Sequence, residues 1–532
     1  MDWKVSLDDF KKSSYFPRFS GWAFLALFIV LCLVYNYPHI LSLSPQSVHQ
    51  WRQCDCLSIT LNYYQDHTGF FQPSVHYLGR DGTGKTVSDF PLIYFFVAQL
   101  WKVFGQHEFI FRLLNVCLFF FGMFALFRLF EQWLKDSVLA LIFPFLLFTS
   151  PVITYYANNF LMNVPALSLG MIGLYFFFRF LSTSESRHFL FFCLFYSLAG
   201  LLKITSLLSF CGICSLFLLE VISIQIRPDR KIFSRPFIQG ALLAAVFIVQ
   251  LIWYSFATYY NNRYNSGIFL VGTLPIWELN SGQVSEVIQA VRHHIDWDYF
   301  RRETQILFVC MFVLVLFYYK QMSRILLLML VVMTLGMASY LILFFQALKD
   351  HDYYTIDLFI LVPVILLAFL SMLQIKFQKV YNSLLFRSVA IIFLIHNIDF
   401  DRMRMEGRYS PEGWENKTYL DHLRHFETIG PCLRELGIRK EDRVLSLSDN
   451  SINISLYLMN QKGWTNYGIG MDTSIIREKI RMGARYLFLY DEESKKSKSL
   501  QLFLHNPIGS YKTIQIYKLP VLSGQVDVRA GL

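Results

Sequence analysis

The chain has 532 residues, of which 55% are hydrophobic and only 16% are charged. A soluble globular domain carries roughly 25% charged residues, so the composition excludes an ordinary water-soluble protein. Apolar runs of about 20 residues recur between residues 21 and 397, each long enough to cross a bilayer as a helix. The net charge is +10, but the basic residues cluster in short loops between these runs, which argues against a nucleic-acid partner. We therefore predict a polytopic α-helical membrane protein embedded in the lipid bilayer.

The basic loops predict the orientation of the helices. Residues 1–19 are rich in Lys and Arg and are expected to form a cytoplasmic N-terminal tail. The first helix, at residues 20–42, then leads to a first outer loop at residues 44–88. Placing the other basic segments in the cytoplasm puts the C-terminal residues 400–532 outside. These segments are 227–235, 318–324 and 374–379.

The number of crossings follows from this orientation. A cytoplasmic N-terminus and an outer C-terminus require an odd number, whereas twelve apolar segments can be distinguished. The weakest is the segment 89–104, which has only 16 residues and contains Lys102, so we expect it to lie in the outer interface. About 11 transmembrane helices then remain in a domain over residues 20–399, although a different division of residues 189–225 would change the count.

Residues 400–532 differ in character from the rest of the chain. They contain a polar, helix-like stretch at 414–436, an amphipathic stretch at 474–482 and several short apolar segments that are typical of strands. Alternating strands and helices predict a small extracytoplasmic α/β domain. The predicted strands are residues 444–447, 454–458, 486–490 and 513–517.

Ionisable side chains in or beside membrane helices are costly and suggest function. The first group is HQWRQCDC, residues 49–56, in the first outer loop. In a shielded pocket, Asp55 is suited to take a proton from a hydroxyl group or to hold a metal, and Arg52 is suited to bind a phosphate. The alternative is an Asp–Arg pair that fixes the loop. Cys54 and Cys56, without further ligands, are interpreted as packing residues.

The second group is Ser88-Asp89-Phe90-Pro91, where the interfacial segment begins. Asp89 lies near the predicted membrane surface and can join Asp55 in a carboxylate pair. The alternative is a helix start, with Ser88 or Asp89 as the N-cap before the proline.

Three further groups are polar in apolar surroundings. The stretch 155–165 is rich in amides and phenols, which suit sugar hydroxyls but are also common in turns. Lys203 is an isolated cation that either snorkels to the surface or binds a phosphate. The stretch 348–357 combines cations, acids and aromatic residues in one short outer loop, more densely than an ordinary turn. The residues of interest are Asn158, Asn159 and Asn163 in the first stretch and Lys349, His351, Asp352 and Tyr354 in the last.

At these groups the sequence resembles a known family. An outer loop with Asp55 is followed by FPLIYFFVAQLWKVFG (residues 90–105), an E-x-x-x-R-L element (108–113), SPVITYYANNFLMNVPA (150–166) and a GLLK element (200–203). In this order, the motifs resemble the GT-C glycosyltransferases of the protein mannosyltransferase and lipid A aminoarabinose transferase type. The outer α/β region is also similar to that of bacterial members.

The resemblance covers most of residues 20–370. It implies a GT-C-like transmembrane catalytic domain, a polyprenyl-phosphate sugar as donor, and a lipid, glycan or protein as acceptor. We expect inverting transfer at the outer face of a bacterial inner membrane. Asp55 matches the family's loop carboxylate, and Asp89 is expected to assist it. The expected ligands of the donor phosphate are Arg52, Lys85, Lys203 and Lys349, and the expected sugar or acceptor contacts are His49, Asn158, Asn159, Asn163, His351, Asp352 and Tyr354.

The chain departs from the family pattern at three positions. Cys56 follows Asp55 where relatives often have Glu, and Phe90 precedes the proline where relatives have a basic residue. Asn163 stands where the family has an Asp. These differences concern the catalytic details more than the fold.

Other functions also fit a polytopic membrane protein. A transporter or flippase of lipid-linked saccharides would be expected to have an internal repeat and charges near the bilayer midplane, and the sequence has no such repeat. A polysaccharide polymerase or ligase is a second alternative, against which the α/β region argues. A divalent metal is compatible with the polar groups, but nothing in the sequence requires one. A further cluster with metal-ligating residue types is His293, His294, Asp296 and Asp298, for which an interfacial loop is the alternative.

Overall fold

The computed structural model describes residues 18–227, 230–269 and 272–522. The chain forms two compact units. The helical unit consists of the described residues of Met1–Leu41, Arg112–Tyr254 and Gly272–Glu406. The sheet unit consists of those of Ser42–Phe111, Ser255–Val271 and Gly407–Leu532. Almost all of the predicted cytoplasmic tail, residues 1–19, lies outside the described residues.

The described residues contain six helices that are long and apolar enough to cross a membrane. A seventh span results if Ser137–Thr149 and Pro151–Ala157, which are bent by 85°, are taken together. Phe19–Val34, Leu92–Phe104 and Ser186–Leu202 are shorter apolar helices. The protein is therefore a multi-pass membrane protein, while the count of eleven helices stays a prediction. The six long helices are Glu108–Leu134, Asn163–Thr183, Ile204–Val221, Pro236–Arg263, Arg324–Leu343 and Asp352–Lys376.

Phenylalanine rings form a large part of the core of the helical unit. The Phe24 ring centroid lies 5.1 Å from those of both Phe127 and Phe145, and the rings of Phe119 and Phe148 are 4.8 Å apart. Each aromatic pair adds about 0.5–1.5 kcal/mol beyond the burial of its area. Because lipid tails are as apolar as the core, this close packing contributes more to the association of the helices than the hydrophobic effect does. The first helix of this unit begins at Arg18, and the remaining α-helices that lie in or begin in the unit are Tyr37–Ile40, Ser281–His294, Arg302–Phe317, Gln378–Tyr381 and Leu384–Tyr409.

Several helices of the helical unit are interrupted close to buried polar residues. Pro151–Ala157 ends before an irregular stretch that leads to the helix beginning at Asn163. Lys203 has extended backbone angles between two helical segments. Asp352–Ile360 is a 3₁₀ segment before the helix Leu361–Lys376. At membrane depth, non-helical backbone is tolerated only where protein or a water-filled cavity surrounds it, so these interruptions mark candidate sites.

A five-stranded mixed sheet organises the sheet unit, in the order β2-β1-β3-β5-β4. β1 pairs in parallel with β2 and β3, whereas β5 pairs antiparallel with β3 and β4. The strands are β1 (Arg443–Ser446), β2 (Gly463–Thr465), β3 (Ala484–Leu489), β4 (Pro507–Tyr511) and β5 (Ile514–Lys518). The helices of this unit are Gln50–Gln65, Leu92–Phe104, Trp414–Asp421, Gly430–Glu435, Ile454–Leu458, Thr473–Arg481, Glu492–Lys496 and Lys498–Gln501.

The segment 44–88, predicted to be the first outer loop, is bound to this sheet through β2. The backbone N–H of Gly463 donates to His76 O at 3.1 Å, and the indole N–H of the buried Trp464 donates to Gly79 O at 2.7 Å. A Cβ at Gly463 would lie 2.0 Å from Val444 O, so only glycine fits the approach of β2 to β1. The segment 44–88 and the five-stranded sheet therefore belong to the same folded unit.

The predicted elements of the C-terminal region are confirmed with one exception. The predicted strands 444–447, 486–490 and 513–517 correspond to β1, β3 and β5, and the amphipathic stretch forms Thr473–Arg481. The prediction of a strand at 454–458 is wrong, because these residues form the helix Ile454–Leu458. Its apolar side chains are buried as one helical turn in place of a strand. The boundary predicted between residues 399 and 400 stays a prediction.

Candidate active site

Asp55 is a buried carboxylate on the helix Gln50–Gln65, with 2% of its surface exposed. Asn453 Nδ2 donates a hydrogen bond of 2.8 Å to Asp55 Oδ1, and Arg52 Nη1 lies 3.8 Å from Asp55 Oδ2. Burial raises the pKa of Asp55 to about 6, although Arg52 and the hydrogen bond from Asn453 both act to lower it. Asp55 is thus ionised at neutral pH and has a pKa suited to accepting a proton.

Arg52 lies one helical turn before Asp55 and contacts a second carboxylate. Its Nη2 donates to Asp89 Oδ2 at 2.5 Å and to Ser88 Oγ at 3.0 Å. Tyr94 OH donates to the same Asp89 oxygen at 3.1 Å. Burial disfavours the charge on Arg52, but Asp89 and the neighbouring Cys56, Tyr94 and Asp55 together outweigh this effect and hold the pKa of the guanidinium above its ordinary value. The group therefore combines one permanent cation with two carboxylates.

The structure decides one of the alternatives raised by the sequence at Asp89. The helix Leu92–Phe104 has Pro91 as its N-cap, with no side-chain hydrogen bond to the helix start. The interpretation of Ser88 or Asp89 as a capping residue is therefore wrong. Both side chains contact Arg52 instead.

Lys85 and His49 lie elsewhere in the sheet unit. Lys85 Nζ is 4.6 Å from the ring centroid of Tyr264 and 3.4 Å from its hydroxyl oxygen. His49 has a left-handed backbone conformation, with φ 54°, directly before the helix that carries Asp55. Both side chains are half-buried. Their expected roles toward a donor or acceptor stay predictions.

In the helical unit, two of the polar stretches found in the sequence meet. Tyr156 OH donates to Asp352 Oδ1 at 2.7 Å, and Asn163 Nδ2 donates to Tyr353 O at 3.2 Å. The ring centroids of Tyr156 and Tyr353 are 5.6 Å apart. His351 stacks beside Tyr353 and Tyr354, with centroid distances of 5.2 and 5.1 Å. The stretches 155–165 and 348–357 thus form one polar and aromatic cluster.

Asn158 and Asn159 lie in a buried amide group that also contains Arg112 and Asn115. Arg112 Nη1 donates to Asn158 O at 2.7 Å, and Asn115 Nδ2 donates to Asn159 O at 2.8 Å. Within the described residues, Asn158 Oδ1 and Asn159 Nδ2 have no hydrogen-bond partner. These atoms can bind hydroxyl groups. Arg112 was not predicted as a site residue, although a charge inside an apolar run was a signal for it.

Lys203 and Lys349 differ in their surroundings. Lys203 is half-buried at the helix interruption, just before two hydroxyls that bind Asp357: Thr205 Oγ1 at 2.6 Å and Ser206 Oγ at 2.8 Å. Lys349 Nζ lies 2.8 Å from Glu286 Oε2 in an exposed pair. Asp357, which is buried at the end of the stretch 348–357, was also not predicted as a site residue.

Within the described ranges, no group of three or more His, Cys, Asp or Glu side chains is arranged to hold a metal. Of the histidine–aspartate cluster noted in the sequence, His294 Nδ1 and Asp298 Oδ2 contact each other at 2.9 Å. Cys54 and Cys56 are buried, in keeping with a packing role.

A known protein family matches the part of the chain that contains several of the polar groups described above. Residues 88–253 match the family described as dolichyl-phosphate-mannose-protein mannosyltransferase. No curated protein matches the sequence. Over residues 88–253 the match confirms the resemblance found in the sequence.

Solved structures give the particular proteins to which the fold is similar. ArnT from Cupriavidus metallidurans in its apo state superimposes with a TM-score of 0.56 and 9% sequence identity, covering 93% of this chain and 98% of that chain. The same enzyme bound to undecaprenyl phosphate gives a TM-score of 0.55 and 9% identity, covering 95% and 99%. At this identity the likeness establishes the fold, and the chemistry must be argued from the side chains.

Proposed function

We propose that this protein transfers a sugar from a polyprenyl-phosphate donor to an acceptor hydroxyl at the outer face of the membrane, with inversion at the anomeric carbon. The Asp55 group supports this proposal, because it combines a buried carboxylate of raised pKa with a guanidinium. The mannosyltransferase match over residues 88–253 and the fold shared with an enzyme that binds undecaprenyl phosphate support it further.

In the proposed reaction, the acceptor oxygen attacks C1 of the sugar while the bond from C1 to the phosphate oxygen breaks. Asp55 takes the acceptor proton, and the polyprenyl phosphate leaves with the electron pair of the broken bond. Arg52 stabilises the phosphate through charge-assisted hydrogen bonds, and Asp89 holds the guanidinium in place. Phosphate is a good leaving group, so positioning and charge stabilisation supply most of the rate acceleration.

The other assignments belong to the same proposal. Lys85, Lys203 and Lys349 are predicted to contribute to phosphate binding, and His49 and the amide and tyrosine clusters to sugar or acceptor binding. The first outer loop and the C-terminal region are predicted to face the extracytoplasmic side of a bacterial inner membrane, with the N-terminus in the cytoplasm.

A single observation carries the proposal: a nearly fully buried carboxylate, Asp55, stays close to a cation and has a pKa of about 6. The test uses cells that lack the gene, in which polyprenyl-phosphate sugars are quantified by mass spectrometry. We expect a lipid-linked sugar to accumulate and the wild-type gene to clear it.

Asp55→Asn should fail to clear this pool while inserting normally in the membrane. The matched control is Asp66→Asn, at the end of the same helix, where the carboxylate forms a part-exposed pair with Lys462 at 2.6 Å. Exposed pairs of this kind contribute only about 0–1 kcal/mol, so the control should behave as the wild type. Full clearance by Asp55→Asn would remove Asp55 from the mechanism.

A further inference from the structure

We propose that Asn453, in the C-terminal region, is a positioning residue for the base of the transfer reaction: it holds Asp55 Oδ1 so that Oδ2 is presented to the acceptor hydroxyl. The inference rests on the proposed function and goes beyond it, because it makes the C-terminal region a contributor to the catalytic centre. Asn453 is completely buried, and 398 residues separate it from Asp55 in sequence.

The orientation of the Asn453 amide follows from its two partners. Its Nδ2 donates to Asp55 Oδ1 at 2.8 Å, and its Oδ1 accepts from the backbone N–H of Tyr77 at 2.9 Å. A backbone N–H can only donate, so the amide oxygen must face Tyr77 and the amide NH₂ must face the carboxylate. The amide thus offers Asp55 a donor only, which favours the ionised carboxylate over the protonated one.

The segment that carries Asn453 is itself held firmly. Asp449 is buried and accepts hydrogen bonds of 2.8 Å from the backbone N–H groups of Ser451 and Ser455, and of 2.6 Å from the Ser455 hydroxyl. Thr465 Oγ1 donates to Ser451 O from β2. Because the turn is tied on both sides, the position of the Asn453 amide is set before any substrate binds.

The two oxygens of Asp55 therefore differ. Oδ1 is engaged by Asn453, while Oδ2 lies 3.8 Å from Arg52 Nη1, beyond hydrogen-bond distance. Oδ2 retains its capacity to accept the proton of a hydroxyl, with Arg52 close enough to stabilise the charge before transfer. Loss of the Asn453 hydrogen bond would both free the carboxylate to rotate and raise the pKa of Asp55 further.

The test compares the pH dependence of sugar transfer in full-length variants, with the lipid extract of gene-deleted cells as donor and their membranes as acceptor. Asn453→Asp is the most informative variant, because an aspartate still accepts from Tyr77 N–H but cannot donate to Asp55 when ionised. Two facing carboxylates share a proton, which raises one of their pKa values. We expect the acidic limb of the profile to move up by at least one pH unit, transfer at pH 7 to fall about twofold or more, and activity to recover at pH 8.5.

Asn453→Ala should shift the acidic limb of the pH profile in the same direction by a smaller amount. The control is Asn450→Ala in the same segment. The exposed side chain of Asn450 accepts a hydrogen bond of 2.7 Å from Asn466 Nδ2, and the profile of the variant should match the wild type. A uniform loss at all pH values, or an unshifted limb in Asn453→Asp, would overturn the inference. Asp55→Asn is measured in parallel: if it transfers normally, the proposed base is wrong, whereas if it is inactive and Asn453→Asp is unshifted, only the role of Asn453 is wrong.

Discussion

Arg52 Nη2 donates a hydrogen bond of 2.5 Å to Asp89 Oδ2, a residue 37 positions further along the chain. This bond places a carboxylate against the guanidinium, so a substrate phosphate would compete with Asp89 for the charge of Arg52. Asp89 also accepts from Tyr94 OH, which fixes the carboxylate on the guanidinium. The Arg52–Asp89 pair therefore determines how much positive charge the proposed site offers to a phosphate.

Asp89→Asn should strengthen the binding of undecaprenyl phosphate, because the amide no longer competes for the Arg52 charge. We expect a gain of about tenfold in affinity, the size of one charge-assisted hydrogen bond. Arg52→Met should weaken binding by a similar factor, and Arg80→Met, on the exposed part of the same loop, is the control. Binding is measured by native mass spectrometry in detergent. Unchanged affinity in both Asp89→Asn and Arg52→Met would show that Arg52 does not hold the phosphate.

Sugar transfer should depend on pH through Asp55. Burial raises the pKa of this carboxyl to about 6, and the proposed base acts only when it is ionised. The rate should therefore fall about tenfold per pH unit below 6 and be level from 7 to 8. Initial rates in overlapping buffers from pH 4.5 to 8.5 provide the measurement. A rate that does not change between pH 5 and 7 would contradict a base with this pKa.

Asp55→Asn should be more stable than the wild type at neutral pH. The pKa of Asp55 is raised from 3.8 to about 6 by burial, so between these values the carboxyl is ionised in the unfolded chain but protonated in the folded one. Folding stability thus falls as the pH rises through this window, by on the order of 3 kcal/mol, and stays lower above it. Asparagine cannot ionise and avoids this loss.

Melting temperatures in detergent at pH 4 and pH 7.5 test this expectation. The melting temperature of Asp55→Asn should exceed that of the wild type by clearly more at pH 7.5 than at pH 4. If the difference in melting temperature were equal at both pH values, Asp55 would not be buried as a charged group.

Gly463→Ala should destabilise the sheet unit, because the added Cβ would lie 2.0 Å from Val444 O. Backbone of β1 or β2 would have to move, at a cost of about 3 kcal/mol or more. Gly430→Ala is the matched control, since a Cβ there meets no atom within 4 Å. Yield and melting temperature should fall for the first substitution and stay near the wild-type values for the second. Equal behaviour would contradict the pairing of β1 with β2.

The membrane class and the polar groups could be predicted from the sequence because both are local properties. Composition alone indicated a membrane protein, and the stretches 155–165 and 348–357 stood out by their polarity. Their meeting, through Tyr156 and Asp352, was expected only from sidedness and family resemblance. The helix at 454–458 was mistaken for a strand because a run of five residues, four of them apolar, is too short to show a period.

The role of Asn453 could not be predicted in this way. Its contact with Asp55 joins residues 398 positions apart, and nothing in its local sequence distinguishes it from a turn asparagine. The same holds for Asp357, whose hydroxyl partners Thr205 and Ser206 come from a distant helix interruption. Long-range pairing of single polar side chains depends on the tertiary fold, which periodicity does not encode.

Single-turnover transfer by the purified protein measures whether Asp55 acts on a lipid-linked sugar. Lipid extract from gene-deleted cells supplies the donor, membranes of the same cells supply the acceptor, and released polyprenyl phosphate is measured by mass spectrometry. The wild type and Asp66→Asn should release polyprenyl phosphate at the same rate, whereas Asp55→Asn should be slower by at least about a hundredfold. Release of polyprenyl phosphate by Asp55→Asn at the wild-type rate, or no release by the wild type, would contradict the proposed function.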